Sequence, residues 1–158
     1  MDPSNRSDQV SPPPSKNEPS RIGMKKLSIL IADDSLPVCQ LLSRWLRLHD
    51  TAAVHNGADA LAALSLLEFD LIICDILMPD VDGLEVIKSL RATQPWVKIL
   101  AISGGGRFAS AADCATKAKD AGADEVLLKP FDEDSFKRAI HSIIDVVEPE
   151  FVFSRSNG

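Results

Sequence analysis

The chain has 158 residues, a formal net charge of -6, 45% hydrophobic residues and three cysteines. That length and apolar share suit one core and fall short of a second, and the acidic balance argues against nonspecific attraction to nucleic-acid phosphates, which need basic partners. No apolar run approaches the roughly 20 residues needed to cross a bilayer and no signal-peptide core opens the chain, so we expect a cytoplasmic protein with no membrane insertion and no direct nucleic-acid contact.

Residues 1–23 hold Pro12-Pro13-Pro14, several serines and almost no large apolar side chains. Such a segment cannot bury enough surface to offset its ordering entropy and reads as a disordered tail, with Met24 as an alternative start. The apolar run 27–32 predicts a strand. Over residues 36–49, Val38, Leu41, Leu42, Trp45, Leu46 and Leu48 form a helical stripe, with Pro37 tolerated in the first turn. Residues 51–55 read as a short edge strand, 58–67 as a helix after the Asn56-Gly57 turn, and the wholly apolar 71–74 as a central strand. A helix over 84–92, a strand over 97–102 and an alanine-rich helix over 110–121 closed by Gly122 come next. Residues 126–128 are the last strand. The last helix, 132–147, carries Phe136, Ala139, Ile140, Ile143 and Val147 on one face and has Asp132 or Asp134 at its start, where the helix dipole favours a negative charge. Residues 149–158 make a short C-terminal tail, too small for an output domain, in which Phe151 and Phe153 are unusually apolar. This alternation predicts an α/β protein of the flavodoxin-like, doubly wound kind: a five-stranded parallel sheet in the order 2-1-3-4-5, five helices, and a pocket at the carboxyl edge of the strands.

Chemistry-bearing residues sit at those carboxyl ends. Asp33-Asp34 follow the first strand and Asp75 ends the third, so three carboxylates surround one small pocket. Two carboxylates about 4 Å apart repel by roughly 4 kcal/mol at an effective dielectric of about 20, which a hard divalent ion relieves. Ser103 ends the fourth strand and Lys129, followed by Pro130, ends the fifth. A hydroxyl donor, an ammonium and a carboxylate that can be both ligand and nucleophile together suit a phosphoryl group. Singly, Asp33-Asp34 would read as a turn and helix cap, Asp75 as a strand-end cap and Lys129-Pro130 as a solvated turn; their joint placement favours the phosphoryl site. Cys39, Cys74 and Cys114 lack metal-type spacing and read as reduced, packed thiols. Trp45 and Trp96 read as packing or rim residues, and His49, His55 and His141 as surface residues. The run Gly104-Gly105-Gly106 lacks the Gly-Lys-Ser/Thr ending of a phosphate-binding loop and reads as a mobile connection.

Asp33-Asp34, Asp75 with Met78-Pro79 and Asp82-Gly83 behind it, Ser103, Ala121-Gly122-Ala123 and Lys129-Pro130-Phe131 occur in order over about 120 residues, a usual domain length. This pattern resembles the receiver domain of bacterial two-component response regulators, in its stand-alone, chemotaxis-regulator-like form. The resemblance implies a receiver over 24–148 that accepts a phosphoryl group on Asp75 from a histidine kinase or a histidine phosphotransfer protein. It implies Mg2+ held by Asp34, Asp33, Asp75 and the backbone carbonyl of Leu77, with Ser103 and Lys129 on the transferred phosphoryl oxygens. It further implies a cis Lys129-Pro130 bond and a binding surface that switches toward a downstream protein, with no catalysis beyond self-phosphorylation and autodephosphorylation. Val126 departs from the family, where an aromatic often stands three positions before the lysine, and the glycine-rich loop after Ser103 is a second departure. The alternative is a receiver-like interaction module that works without phosphorylation. An aspartyl-phosphate hydrolase is disfavoured because Ile76 and Leu77, following Asp75, supply no general base.

Overall fold

In the computed structural model, which describes residues 25–104 and 110–144, the apolar runs become five parallel strands: β1 (Ser28–Ala32), β2 (Asp50–Val54), β3 (Leu71–Asp75), β4 (Lys98–Ser103) and β5 (Glu125–Leu128). Their order is β2-β1-β3-β4-β5, the predicted flavodoxin-like arrangement, in which β3 is central and buried along its whole length. The expectations for residues 1–23, for Gly105-Gly106, for a last helix running to Val147 and for the tail 149–158 lie outside the described residues.

Five helices cover the two faces: α1 (Leu36–Trp45), α2 (Gly57–Leu66), α3 (Gly83–Thr93), α4 (Ala111–Ala121) and α5 (Glu133–Ile143). Alternate strand side chains divide the core between them. Leu30, Ile72, Cys74, Ile99 and Ala101 pack with α2, α3 and α4 on one face. Ile29, Ile31, Leu71, Ile73, Leu100 and Ile102 pack with α1 and α5 on the other. Each fully buried aliphatic side chain contributes roughly 1.5–3 kcal/mol, so the two-sided burial fixes the strand register.

Most helix starts follow from one kind of cap. Asn56, Asp82, Ser110 and Asp132 each accept a hydrogen bond from the backbone amide three residues on, at Asp59, Glu85, Asp113 and Ser135. Gly122, at φ 119°, closes α4 in the left-handed conformation, as expected from its position. The Lys129-Pro130 bond is cis.

Two expectations need correction. The first helix stops at Trp45 instead of His49: Arg47 N–H reaches the Arg44 carbonyl at 3.4 Å and His49 N–H the Leu46 carbonyl at 2.8 Å, so the last part of the apolar stripe belongs to turns. Leu46 is fully buried there, which is why the pattern imitates a longer helix. His49 is buried rather than at the surface. Its Nδ1 accepts the Leu27 N–H at 3.1 Å, and burial lowers its pKa, which keeps the ring in the neutral form that can accept. The remaining described boundaries agree to within one residue.

Gly83 places the start of α3 directly against the end of β3. A Cβ there would run into the Asp75 carbonyl oxygen and lie 2.7 Å from the Ile76 Cα, and Gly83 N–H donates to the Ile76 carbonyl at 2.9 Å. We expect Gly83→Ala to lower stability by roughly 1–3 kcal/mol, the usual cost of overpacking. Urea unfolding would show it as a lower midpoint at constant slope; an unchanged midpoint would mean that the α3 start can shift freely.

Candidate functional site

The carboxyl edge of the sheet gathers the charged residues. Asp33 extends β1 by one rung, its N–H donating to the Val54 carbonyl at 3.1 Å. Its buried carboxylate is held at both oxygens: Oδ1 accepts from the Ser35 N–H at 2.8 Å and Oδ2 from Lys129 Nζ at 3.3 Å. Asp34 is exposed. Asp75, the last residue of β3, is 4% exposed. Its Oδ1 accepts from the Leu77 N–H at 3.2 Å and its Oδ2 from Lys129 Nζ at 3.2 Å. One ligand oxygen from each of Asp33, Asp34 and Asp75 falls within 4.8 Å of the others.

Crowding sets the electrostatics. Burial, then the neighbouring Asp33 charge, raise the Asp75 pKa, with Lys129 and the Leu77 amide only partly opposing them. Burial alone would lower the Lys129 pKa, but the Asp75 and Asp33 carboxylates outweigh it and raise the value, so the ammonium stays charged. Three carboxylates against one ammonium leave two negative charges on a set of hard oxygen donors. That fits Mg2+ in charge and in ligand chemistry, and exposed Asp34 leaves room for the waters that this ion retains.

The Ser103 hydroxyl bonds toward α4. Ser103 is buried at the end of β4, where its carbonyl accepts the Lys129 N–H at 2.8 Å and its hydroxyl donates to the Ala111 carbonyl in the first turn of α4 at 3.3 Å. Leu77 is 44% exposed beside Asp75. Val126 is partly buried against the α2–α4 core. Beyond Lys129 lies an apolar hollow of about 500 Å³ lined by Val38, Leu41, Gly104, Lys129, Pro130 and Phe131.

Among the aromatic residues, Trp45 packs on Phe131 and Phe136 with ring centroids 6.2 and 5.4 Å away, whereas Trp96 is exposed. The three cysteines are free and buried. The residue that sequence reasoning passed over is His55. Its side chain is exposed, yet Nδ1 lies 3.2 Å from the Asp33 carbonyl and 3.7 Å from Cys39 Sγ, and that thiol donates to the same carbonyl at 3.3 Å. The pairing of β1 with β2, Ala32 opposite Val54, brings positions 33 and 55 together, so the strand order contained the signal.

The family model described as the response regulator receiver domain matches residues 29–141. The transcriptional regulatory protein ZraR of Salmonella typhimurium is 32% identical over 121 residues, 75% of this chain and 26% of that protein. The transcriptional regulatory protein TcrA of Mycobacterium tuberculosis is 32% identical over 108 residues, 67% of this chain and 41% of that one. The chain thus spans well under half of either relative. Among solved structures, the chemotaxis protein CheY4 of Vibrio cholerae superposes with a TM-score of 0.67 at 25% identity, covering 76% of this chain and all of that one (100%). NtrX from Brucella abortus matches at 26% identity with a TM-score of 0.64, over 75% of this chain and 27% of that one.

The raised Asp75 pKa has a defined sign for stability. The folded chain holds this proton more tightly than the unfolded chain, so ionisation subtracts stability as pH rises from the ordinary value of 3.8 through the folded value. Below that window the penalty is absent; above it the penalty is complete. Without divalent ions, Asp75→Asn should therefore melt at a higher temperature than the parent at pH 7, with the gain shrinking as pH falls toward 3.8. A gain independent of pH would remove Asp75 ionisation as its cause.

Proposed function

Because the chain belongs to the response regulator receiver domain family, we propose that Asp75 is its phosphoacceptor in a two-component phosphorelay and that Asp34, Asp33, Asp75 and the Leu77 carbonyl hold Mg2+. The observation that carries this reading is the environment of the Asp75 carboxylate: one oxygen on a backbone amide, the other on Lys129, with two further carboxylates alongside. The phosphoryl donor is a phosphohistidine of a histidine kinase or of a histidine phosphotransfer protein. The apolar hollow beside Lys129 offers such a partner a contact surface next to the acceptor.

In the transfer, a carboxylate oxygen of Asp75 forms the new O–P bond as the P–N bond of the phosphohistidine breaks, and the imidazole nitrogen keeps the electron pair. Bound Mg2+ would offset charge on the phosphoryl oxygens during a step governed by positioning and electrostatics. The Leu77 amide holds Oδ1 of Asp75 and so limits rotation of the carboxylate. Lys129, shared between Asp33 and Asp75 before transfer, is near enough for its ammonium to turn onto a phosphoryl oxygen afterwards. Ser103 can donate its single hydroxyl hydrogen to that group only by giving up the Ala111 carbonyl. This exchange is the proposed link between acceptor and output surface, since it acts on the first turn of α4. The downstream partner is a protein that reads the altered α4 surface.

Incubation with Mg2+ and a small phosphodonor should add one phosphoryl mass to the intact protein, and Asp75→Asn should remove the addition while keeping the fold. Labelling that persists in the variant would assign the acceptor elsewhere. Leu77 bears on the lifetime of the phosphoryl group, because its apolar side chain stands beside Asp75 and cannot orient an attacking water. Leu77→Asn should accelerate autodephosphorylation several-fold, read as loss of that mass over time; equal rates would show that water positioning does not limit the step.

A further inference from the structure

Asp33 ends the β1 ladder: its N–H still bonds to Val54, but the chain partner turns away at once into α2, which begins at Gly57. A buried carbonyl at this point needs a donor that the sheet no longer supplies. Two side chains meet the need, Cys39 from the second turn of α1 at 3.3 Å and His55 from just beyond β2 at 3.2 Å. Since a carbonyl only accepts, the contact at 3.2 Å requires the hydrogen of His55 to sit on Nδ1.

That carbonyl belongs to the peptide joining Asp33 to Asp34, the two carboxylates flanking Asp75. Fixing the peptide plane fixes ψ of Asp33, whose N–H is already held by Val54, and the position of the Asp34 Cα, and so restrains the points from which both side chains leave the backbone. We propose that His55, assisted by Cys39, is a positioning residue for the acidic pocket: its Nδ1–H pins the Asp33-Asp34 peptide and thereby holds the carboxylates in the arrangement that captures a divalent cation. The proposal rests on the reading of this pocket as the Mg2+ site. Groups that orient metal ligands without touching the metal commonly matter by an order of magnitude in affinity, and three separate elements, β1, β2 and α1, converge here on one oxygen. The thiol is a weak donor and contributes the smaller share.

Mg2+ affinity of the full chain, measured by titration calorimetry, tests this with four variants. His55→Leu removes the donor and should weaken Mg2+ binding about tenfold. His55→Asn places an amide nitrogen close to the Nδ1 position and should restore most of the affinity, which a purely structural loss would not do. Cys39→Ala should weaken binding less than His55→Leu. Asp34→Ala is the control for the site itself. If Asp34→Ala abolishes binding while His55→Leu keeps the parent affinity, the pinning role is overturned and the metal reading stands. If Asp34→Ala leaves the affinity unchanged, the metal reading falls first. Urea unfolding of each variant separates affinity from fold: a His55→Leu loss that His55→Asn shares to the same extent, accompanied by a lower unfolding midpoint, would also overturn the proposal.

Discussion

The Lys129 ammonium, at 3.3 Å from Asp33 and 3.2 Å from Asp75, is the contact on which the carboxyl edge depends. Without a cation, carboxylates a few ångströms apart would repel by roughly 4 kcal/mol per pair at an effective dielectric of about 20, a large fraction of the stability of a small domain. The fold brings them together nonetheless, because parallel strands all end at one edge. Lys129 is itself set by the sheet: its N–H bonds to the Ser103 carbonyl at the end of the neighbouring strand. One side chain thus ties the ends of β1 and β3 to that of β5, across the intervening β4. The ammonium offsets only part of the charge, and the remaining two negative charges are the electrostatic basis of the divalent-ion site proposed above.

A second constraint is steric. Gly83 lets the start of α3 touch the Asp75 peptide, and Gly57 lets α2 touch the Val81 carbonyl in the loop after β3. The acidic edge is therefore backed by helix starts packed at backbone distance, with little room for the β3 end to yield. Rigidity behind Asp75 and solvent access in front, at Asp34, both suit the proposed metal site, because such a pocket holds its ligands best when the supporting shell does not move.

Much of this was legible in the sequence because it depends on local pattern. The all-apolar run before Asp75 announced a central strand, the Asn56-Gly57 turn and Asp132 marked two helix starts, and the acidic and basic residues fell at strand ends where topology had to gather them. The features that escaped depend on long-range geometry. The stripe through Leu46 and Leu48 obeyed helical spacing, but the backbone had already turned, and burial of Leu46 satisfied the pattern without a helix. His49 carried no sign of being buried, since what holds it is the Leu27 amide, 22 residues away. His55 and Cys39, 16 positions apart, meet on a carbonyl that no side-chain pattern encodes. Ser103 was read correctly as a strand-end hydroxyl, yet its partner, the Ala111 carbonyl, follows only from how α4 packs.

The two ends of α4 are held by very different means. At its C-terminal end, Arg91 donates through Nε to the Gly122 carbonyl at 2.7 Å and through its guanidinium to Asp124 at 2.6 Å, while also bonding the Pro95 and Val97 carbonyls. Asp124 in turn accepts from the Ile99 N–H, and Lys119 donates to the Asp124 carbonyl, so the end of α4, the start of β5 and the entry to β4 form one hydrogen-bonded block. At the N-terminal end, the hydrogen bond found among the described residues from α4 back to the strand ends is the Ser103 hydroxyl on the Ala111 carbonyl, a neutral bond of 3.3 Å. Charge-assisted bonds are roughly twice as strong as neutral ones, and here several act together. If a new charge on Asp75 draws Ser103 away, the N-terminal end of α4 loses that bond while the Arg91 block keeps the other end in place. On the proposed reading the helix would pivot rather than slide, with the surface change centred near Ser110 and Ala111, next to the group that caused it.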